Sequence, residues 1–138
     1  MELASILAPL NPLRPLRAVS AHCDLPCGVY DPAQARIEAQ SIRNIIEKYH
    51  ESTDEPFRTR AILIKEQRAE LTKHHLWVLW TDYFTPEHLD AHPGLHDLFW
   101  RATKAAGEIK DSLDLEDADN LLALIDEVAD IFESTQED

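Results

Sequence analysis

The stretch DPAQARIEAQSIRNIIEKYH, residues 31–50, decides the fold class because its pattern indicates one amphipathic helix. Asp31 can accept hydrogen bonds from the first free amide groups of a helix, and Pro32 suits the first helical position. Beyond this start, side chains at alternating intervals of three and four residues share one helix face. These side chains are Ala35, Glu38, Ile42, Ile45 and Tyr49.

Three further segments with helical spacing follow this stretch. The sequence predicts a second helix from about Phe57 to Tyr83, after the break ESTDEP at residues 51–56. A third helix begins at Thr85-Pro86. We expect an interruption at HPG, residues 92–94, because proline lacks an amide donor and clashes with the preceding turn. A turn at residues 112–114 precedes the last helix. Four such helices joined by short loops predict an all-α, antiparallel up-and-down four-helix bundle.

Two charged residues occupy positions where the helical pattern calls for apolar ones. Glu38 lies on the stripe of the first helix, and Arg68 lies on the stripe of the second. The stripe predicted for the second helix consists of Phe57, Ala61, Ile64, Arg68, Leu71, His75 and Val78. A buried ion is unfavourable unless it is paired. Either each side chain reaches the rim of the bundle or the two form a structural pair. The functional alternative is that they brace a polar group at one end of the bundle.

The composition limits the class of protein. The chain has 138 residues, enough for one domain with a real core, and a formal net charge of −13. This charge argues against a surface that binds nucleic acid or an anionic membrane. No apolar run approaches the roughly 20 residues that a membrane-spanning helix needs. The acidic end of the chain, residues 133–138, is expected to be a fraying, solvated tail.

The segment MELASILAPLNPLRPLRAVSA, residues 1–21, differs from the rest of the chain. It contains three prolines and a single acidic residue, Glu2. Val19-Ser20-Ala21 resembles a small-residue cleavage site, but prolines and arginines break any apolar core that a secretory signal would need. We therefore expect residues 1–21 to be a removable leader that does not export the protein, and residues 22–138 to form the functional domain. The alternative is a tail that stays attached.

Both cysteines of the chain lie in the segment HCDLPCG, residues 22–28. A disulfide between Cys23 and Cys27 would close a very small loop and stabilise little. A structural zinc site would need two more ligands from distant histidines. The third possibility requires cleavage before His22, which frees its amine. The amine, the Cys23 amide nitrogen and the two thiolates then form a planar set of two nitrogens and two sulfurs.

This donor set suits Ni(II) or Cu(II) better than tetrahedral zinc. The imidazole of His22 can reach an axial position, and Pro26 and Gly28 suit a tight turn that folds the segment into a metal-binding hook. Strong thiolate and amide donors favour an oxidised metal, so the hook is a candidate redox site. A non-catalytic helical bundle with a nickel- or copper-binding arm is the alternative function.

The stretch HCDLPCGVYDPAQARIEA, residues 22–39, closely resembles the start of nickel-containing superoxide dismutases. The resemblance extends through the helical segments HHLWVLWTDYF and HPGLHDLFW and covers nearly all of residues 22–138. It implies disproportionation of superoxide to oxygen and hydrogen peroxide by Ni(III)/Ni(II) cycling, with one nickel ion per subunit. It further implies a homohexamer of four-helix bundles. We expect a cytoplasmic enzyme, made as a precursor that a leader peptidase matures.

The resemblance also implies roles for individual residues. His22 would give its amine and imidazole to nickel, Cys23 its amide nitrogen and thiolate, and Cys27 its thiolate. The peptide bond before Pro26 is expected to be cis. The resemblance gives the remaining residues roles other than binding the metal. Glu38 and Arg68 match the carboxylate and guanidinium that orient the imidazole. Tyr30 and Tyr83 match the tyrosines near the open axial face of the metal. Lys110 matches a lysine that steers superoxide.

Other candidate features are weaker. His88, His92 and His96 recur every four residues, but Pro93 and Gly94 make that helix irregular, so we expect packed or surface histidines rather than a second metal site. Of the adjacent pair His74-His75, at most one can face inward. The larger aromatic residues are expected to be core or subunit-interface anchors. They are Trp77, Trp80, Phe99 and Trp100. Thr85 stands where some relatives carry a second steering lysine.

Overall fold

The computed structural model describes residues 28–136, and every regular element among them is helical. Four long helices make up most of it: α1 (Ala33–Glu51), α2 (Glu55–Val78), α4 (Leu95–Glu108) and α5 (Leu115–Ser134). A π-helical turn (Leu79–Tyr83) and the short helix α3 (Pro86–Ala91) lie between α2 and α4. The predicted all-α bundle is confirmed.

The four long helices pack in a closed square. Helix α1 contacts α2 and α5, and α4 contacts the same two helices. Two ion pairs show that α1 and α5 run in opposite directions: Arg36 pairs with Asp126 at 2.7 Å, and Arg43, seven residues later, pairs with Asp119 at 2.6 Å. The connection between α1 and α2, residues 52–54, is short, and short connections favour antiparallel packing of the two helices that they join.

Local signals set the helix ends. Asp31 Oδ1 accepts a hydrogen bond from the amide of Ala33 at 2.8 Å, as its position before α1 predicts. Asp54 caps the amide of Phe57 at 3.0 Å, and α2 therefore begins at Glu55, two residues earlier than predicted. The interruption expected at residues 92–94 is present, because α3 ends at Ala91 and α4 begins at Leu95.

Helix α2 faces the core with a different stripe from the one predicted. The sequence pattern placed Ile64, Arg68 and Leu71 inward, whereas the buried residues after Ala61, which was predicted correctly, lie one position further along the helix. The buried residues are Ala61, Lys65, Ala69, Thr72 and Leu76. The error arose because a lysine and a threonine occupy two of the inward positions, so hydrophobic periodicity could not identify them.

Lys65 joins α2 to the end of α4. Its side chain is buried, and Nζ donates to the carbonyl oxygens of Ile109 and Lys110 at 2.8 Å and to that of Ser112. The three hydrogens of the ammonium group thus meet three carbonyl oxygens of the segment that follows α4. Burial lowers the pKa of Lys65, and the nearby carboxylates of Glu66 and Asp111 oppose that shift.

The end of the chain is more ordered than expected. Residues 133–138 were predicted to fray, but α5 continues to Ser134, and Thr135 and Gln136 both hydrogen-bond to Tyr83. The last two residues lie outside the described part. No helix among residues 28–136 is both long and apolar enough to cross a membrane.

Candidate metal centre

The predicted metal ligands precede the described part of the chain. His22, Cys23 and Cys27, the peptide bond before Pro26 and the segment 1–21 all lie outside residues 28–136. The first described residue is Gly28, which has a φ of +64°. This left-handed conformation strains residues that carry a Cβ, so a glycine is favoured directly after Cys27. The geometry agrees with a tight turn at this point.

The chain enters the bundle beside two tyrosines. The rings of Tyr30 and Tyr83 lie 5.6 Å apart between centroids, and Tyr30 also lines a narrow cleft with His75 of α2 and Leu79 of the π-helical turn. We call this region, where residues 28–30 meet the C-terminal end of α2, the Tyr83 end of the bundle. The structure therefore brings together the two tyrosines that the sequence had placed 53 positions apart.

The two charges predicted to brace a polar group form a pair. Arg68 Nη1 donates to Glu38 Oε2 at 3.1 Å, across the interface of α1 and α2. The Glu38 side chain is 16% exposed and that of Arg68 is 36% exposed, so the pair is shielded but open on one side. The other carboxylate oxygen, Oε1, has no hydrogen bond to any residue of the described part of the chain. Of the structural alternatives left open by the sequence, the pair is the one that is present. The predicted contact of Glu38 with the imidazole of His22 lies outside the described residues.

His75 was not proposed as a site residue, yet it lines the same cleft. Burial lowers its pKa, the charge of His74 lowers it further, and the carboxylate of Glu38 opposes the shift. His74 is exposed, so only one of the two adjacent histidines faces inward, as predicted. The inward stripe of α2 included His75, but the sequence offered no sign that it would meet the segment leading to the hook.

Tyr83 is fixed on several sides. It ends the π-helical turn, in which the amide of Phe84 donates to the carbonyl of Leu79 at 3.1 Å. Its ring lies 4.5 Å from that of Phe132 and is stacked on that of His88. A π turn shifts the residues after it relative to a regular helix, and such turns are frequent at functional sites. Its hydroxyl contacts, to Thr135 and Gln136, were missed by the sequence analysis.

In the folded single chain, Lys110, the predicted steering residue, does not lie beside Tyr30 and Tyr83. It follows the C-terminal end of α4, and its ammonium group pairs with Glu70 near the middle of α2. The pairing lowers the pKa of Glu70. Any steering by Lys110 therefore acts with a carboxylate beside it, and its role stays a prediction.

The three regularly spaced histidines have separate surroundings. His88 Nδ1 accepts from the amide of Thr85 at 3.2 Å, His92 lies against Ser134, and the ring of His96 is 5.4 Å from that of Trp80. Among residues 28–136, no group of three or more potential ligands could hold a metal ion.

The aromatic residues divide between core and surface. Phe99 is buried and Trp80 packs against the core, as expected of core anchors. Trp77 and Trp100 are 42% and 58% exposed in the single chain. Their exposed rings fit the expectation of interface anchors, although the contact itself stays a prediction.

Comparisons with known proteins identify the family. The family model described as nickel-containing superoxide dismutase matches residues 17–136. The nickel superoxide dismutase of Streptomyces seoulensis is 54% identical over 118 residues, which cover 86% of this chain and 90% of that protein. The corresponding protein of Streptomyces coelicolor is 52% identical over 122 residues, covering 88% and 93%.

Solved structures agree with this assignment. A native nickel superoxide dismutase structure matches with a TM-score of 0.82 at 50% identity, over 85% of this chain and 100% of that one. A crystal structure with nickel ligation corresponding to the oxidised state gives the same TM-score at 52% identity and the same coverage. Sequence and fold therefore agree over most of the chain, and this chain belongs to the nickel-containing superoxide dismutase family.

Proposed function

We propose that this superoxide dismutase holds one nickel ion per chain in a hook that begins at His22, after residues 1–21 have been removed. The ligands are the amine and imidazole of His22, the amide nitrogen and thiolate of Cys23, and the thiolate of Cys27. Bound nickel would supply one-electron redox chemistry, which turns two superoxide ions and two protons into oxygen and hydrogen peroxide. Without cleavage the His22 nitrogen is part of a peptide bond and cannot donate as an amine.

The donor chemistry of these residues fits nickel. Two nitrogens and two thiolates in a plane match the tetragonal preference of Ni(II), whereas zinc prefers a tetrahedral set. The left-handed φ of Gly28 supports a reversal of the chain immediately after Cys27. The family membership of the chain supports the choice of nickel over copper.

The single observation that carries the placement of the site is the Glu38–Arg68 pair. Its 3.1 Å contact puts a carboxylate on the α1–α2 interface, and one oxygen of that carboxylate has no partner among residues 28–136. Tyr30 lies against His75 of α2 in the nearby cleft. Ligating imidazoles generally donate their second ring N–H to an acceptor such as this carboxylate. Glu38 would hold the ring of His22, and Arg68 would hold Glu38.

Tyr30 and Tyr83 would position substrate and water beside the bound metal. The 5.6 Å separation of their rings puts both at the point where the hook joins the bundle. Neither would bind nickel. Lys110 would add local positive potential for an anionic substrate, which the net charge of −13 otherwise repels.

Maturation, assembly and location complete the proposal. A leader peptidase would cleave before His22, and six chains would assemble into a homohexamer in the cytoplasm. The match to the solved native structure covers all of that chain but only 85% of this one. The part of this chain that is not covered is close in length to residues 1–21. The exposed rings of Trp77 and Trp100 offer apolar surface for a subunit contact.

Two variants of the nickel-loaded protein test the ligand set. We expect Cys27→Ser to abolish dismutation while the helical circular dichroism stays nearly unchanged, because Cys27 precedes the helices. We expect His22→Ala to remove the axial nitrogen splitting from the electron paramagnetic resonance signal of the oxidised protein. Normal activity in Cys27→Ser, or an unchanged splitting in His22→Ala, contradicts the proposed ligands.

A further inference from the structure

The end of α5 holds the hydroxyl group of Tyr83. Tyr83 Oη lies 2.6 Å from Thr135 Oγ1, and Gln136 Nε2 also hydrogen-bonds to Tyr83 Oη. These partners are 52 and 53 residues away along the chain. The contacts therefore tie the π-helical turn to the C-terminal end of the bundle, at a residue proposed to face the substrate.

The direction of these hydrogen bonds follows from counting donors. Thr135 Oγ1 lies 2.7 Å from the carbonyl oxygen of Phe132, and a carbonyl can only accept. A threonine hydroxyl has one hydrogen, so Thr135 uses it on Phe132 and must accept from Tyr83. Tyr83 in turn donates its only hydroxyl hydrogen to Thr135, and its oxygen accepts from the amide group of Gln136.

We propose that Thr135 and Gln136 are positioning residues that make Tyr83 a hydrogen-bond acceptor toward the substrate side. The phenolic hydrogen is committed to Thr135, and Gln136 occupies one of the two lone pairs of the oxygen. The remaining lone pair receives a hydrogen bond from water or from the protonated peroxide product, and Tyr83 does not donate to the superoxide anion. This inference rests on the proposed role of Tyr83 beside the bound metal.

The first arm of the test uses the metal-free protein and does not depend on activity. Thr135→Val keeps the shape of the side chain and removes the oxygen that accepts from Tyr83. We therefore expect the ¹³Cζ resonance of Tyr83 to shift. The loss of this resonance in Tyr83→Phe assigns it. Gln136→Ala is expected to shift the same resonance by removing the donor. Thr135→Ser restores the hydroxyl and should return the resonance to its original position. An unchanged resonance in Thr135→Val overturns the inference.

The second arm measures dismutation by stopped flow on the nickel-loaded proteins. Thr135→Val is expected to lower the rate constant by about 2- to 10-fold, which is the range that one neutral hydrogen bond is worth. Thr135→Ser should retain the wild-type rate. Thr53→Val makes the same chemical change in the loop between α1 and α2 and should change neither readout. A shifted resonance with an unchanged rate in Thr135→Val overturns the inference.

Tyr83→Phe separates this inference from the proposed function. If Tyr83→Phe lowers the rate and Thr135→Val does not, the α5 contacts do not act on the reaction, while the proposed role of Tyr83 stands. If Tyr83→Phe leaves the rate unchanged, both the role of Tyr83 and this inference are wrong. Absence of dismutation in nickel-loaded wild-type protein contradicts the proposed function itself.

Discussion

Arg68 Nη1 donates to Glu38 Oε2 at 3.1 Å, so the two charges that interrupt the helical pattern meet across the α1–α2 interface. A partly exposed ion pair contributes at most about 1 kcal/mol to stability. A pair of this strength adds little to the stability of the α1–α2 interface, where both side chains are only partly exposed. The geometry therefore favours a role in holding another group, and we propose that this group is the imidazole of His22.

Glu38→Gln tests this role. We expect the dismutation rate to fall by about 10-fold, the lower end of the range for removing a carboxylate that orients a metal-bound histidine. The free energy of unfolding should fall by less than about 1 kcal/mol. Stopped-flow kinetics and urea denaturation measure the two quantities. Asp119→Asn, which breaks the surface pair with Arg43, is the control and should leave the rate unchanged.

Lys65 should contribute mainly to stability. Lys65→Met removes three hydrogen bonds and leaves the carbonyl oxygens of Ile109, Lys110 and Ser112 without that partner, so we expect a loss of about 2–4 kcal/mol. Urea denaturation of the metal-free protein measures the loss. Lys48→Met, on the exposed surface of α1, serves as the control and should be nearly neutral. A Lys65→Met variant as stable as the wild type would contradict the account.

His75 should make stability depend on pH. Its pKa is lowered in the folded protein, so below about pH 6.5 the unfolded chain binds a proton more readily than the folded one. The stabilisation is present above that pH and is lost as the pH falls through the lowered pKa. We expect wild-type protein to lose more stability between about pH 7.5 and about pH 5.5 than His75→Gln does. An equal loss in both proteins contradicts the assignment.

Lys110 should affect the capture of superoxide in a salt-dependent way. Lys110→Gln removes a positive charge, and we expect the second-order rate constant to fall by about 2- to 3-fold at low ionic strength. The difference should disappear at about 1 M salt, where screening acts within about 3 Å. Glu70→Gln leaves Lys110 without its neighbouring carboxylate and should have the opposite effect. A loss in Lys110→Gln that is independent of salt would exclude steering.

The sequence predicted the features that depend on local rules. The Asp31 cap, the interruption at Pro93 and the family follow from residue types and their order, and the structure and comparisons agree with them. The pairing of Glu38 with Arg68 was one of the alternatives that the sequence left open, because a charge on a stripe predicted to face inward needs a partner.

The features that the sequence did not predict depend on contacts between distant segments. Lys65 is buried because carbonyls 44 to 47 residues away accept its three hydrogens, and no periodicity reports such partners. Thr135 and Gln136 belong to an acidic end with the composition of a tail. Only the folded bundle shows that both residues hydrogen-bond to Tyr83, at the end of the π-helical turn.

Native mass spectrometry of the active protein tests the central claim most directly, since one spectrum gives the first residue of the chain and the number of bound nickel ions. The account predicts that dismutation activity follows a species whose chains begin at His22 and carry one nickel each. Full activity in a species that retains residues 1–21, or in one without nickel, would contradict it.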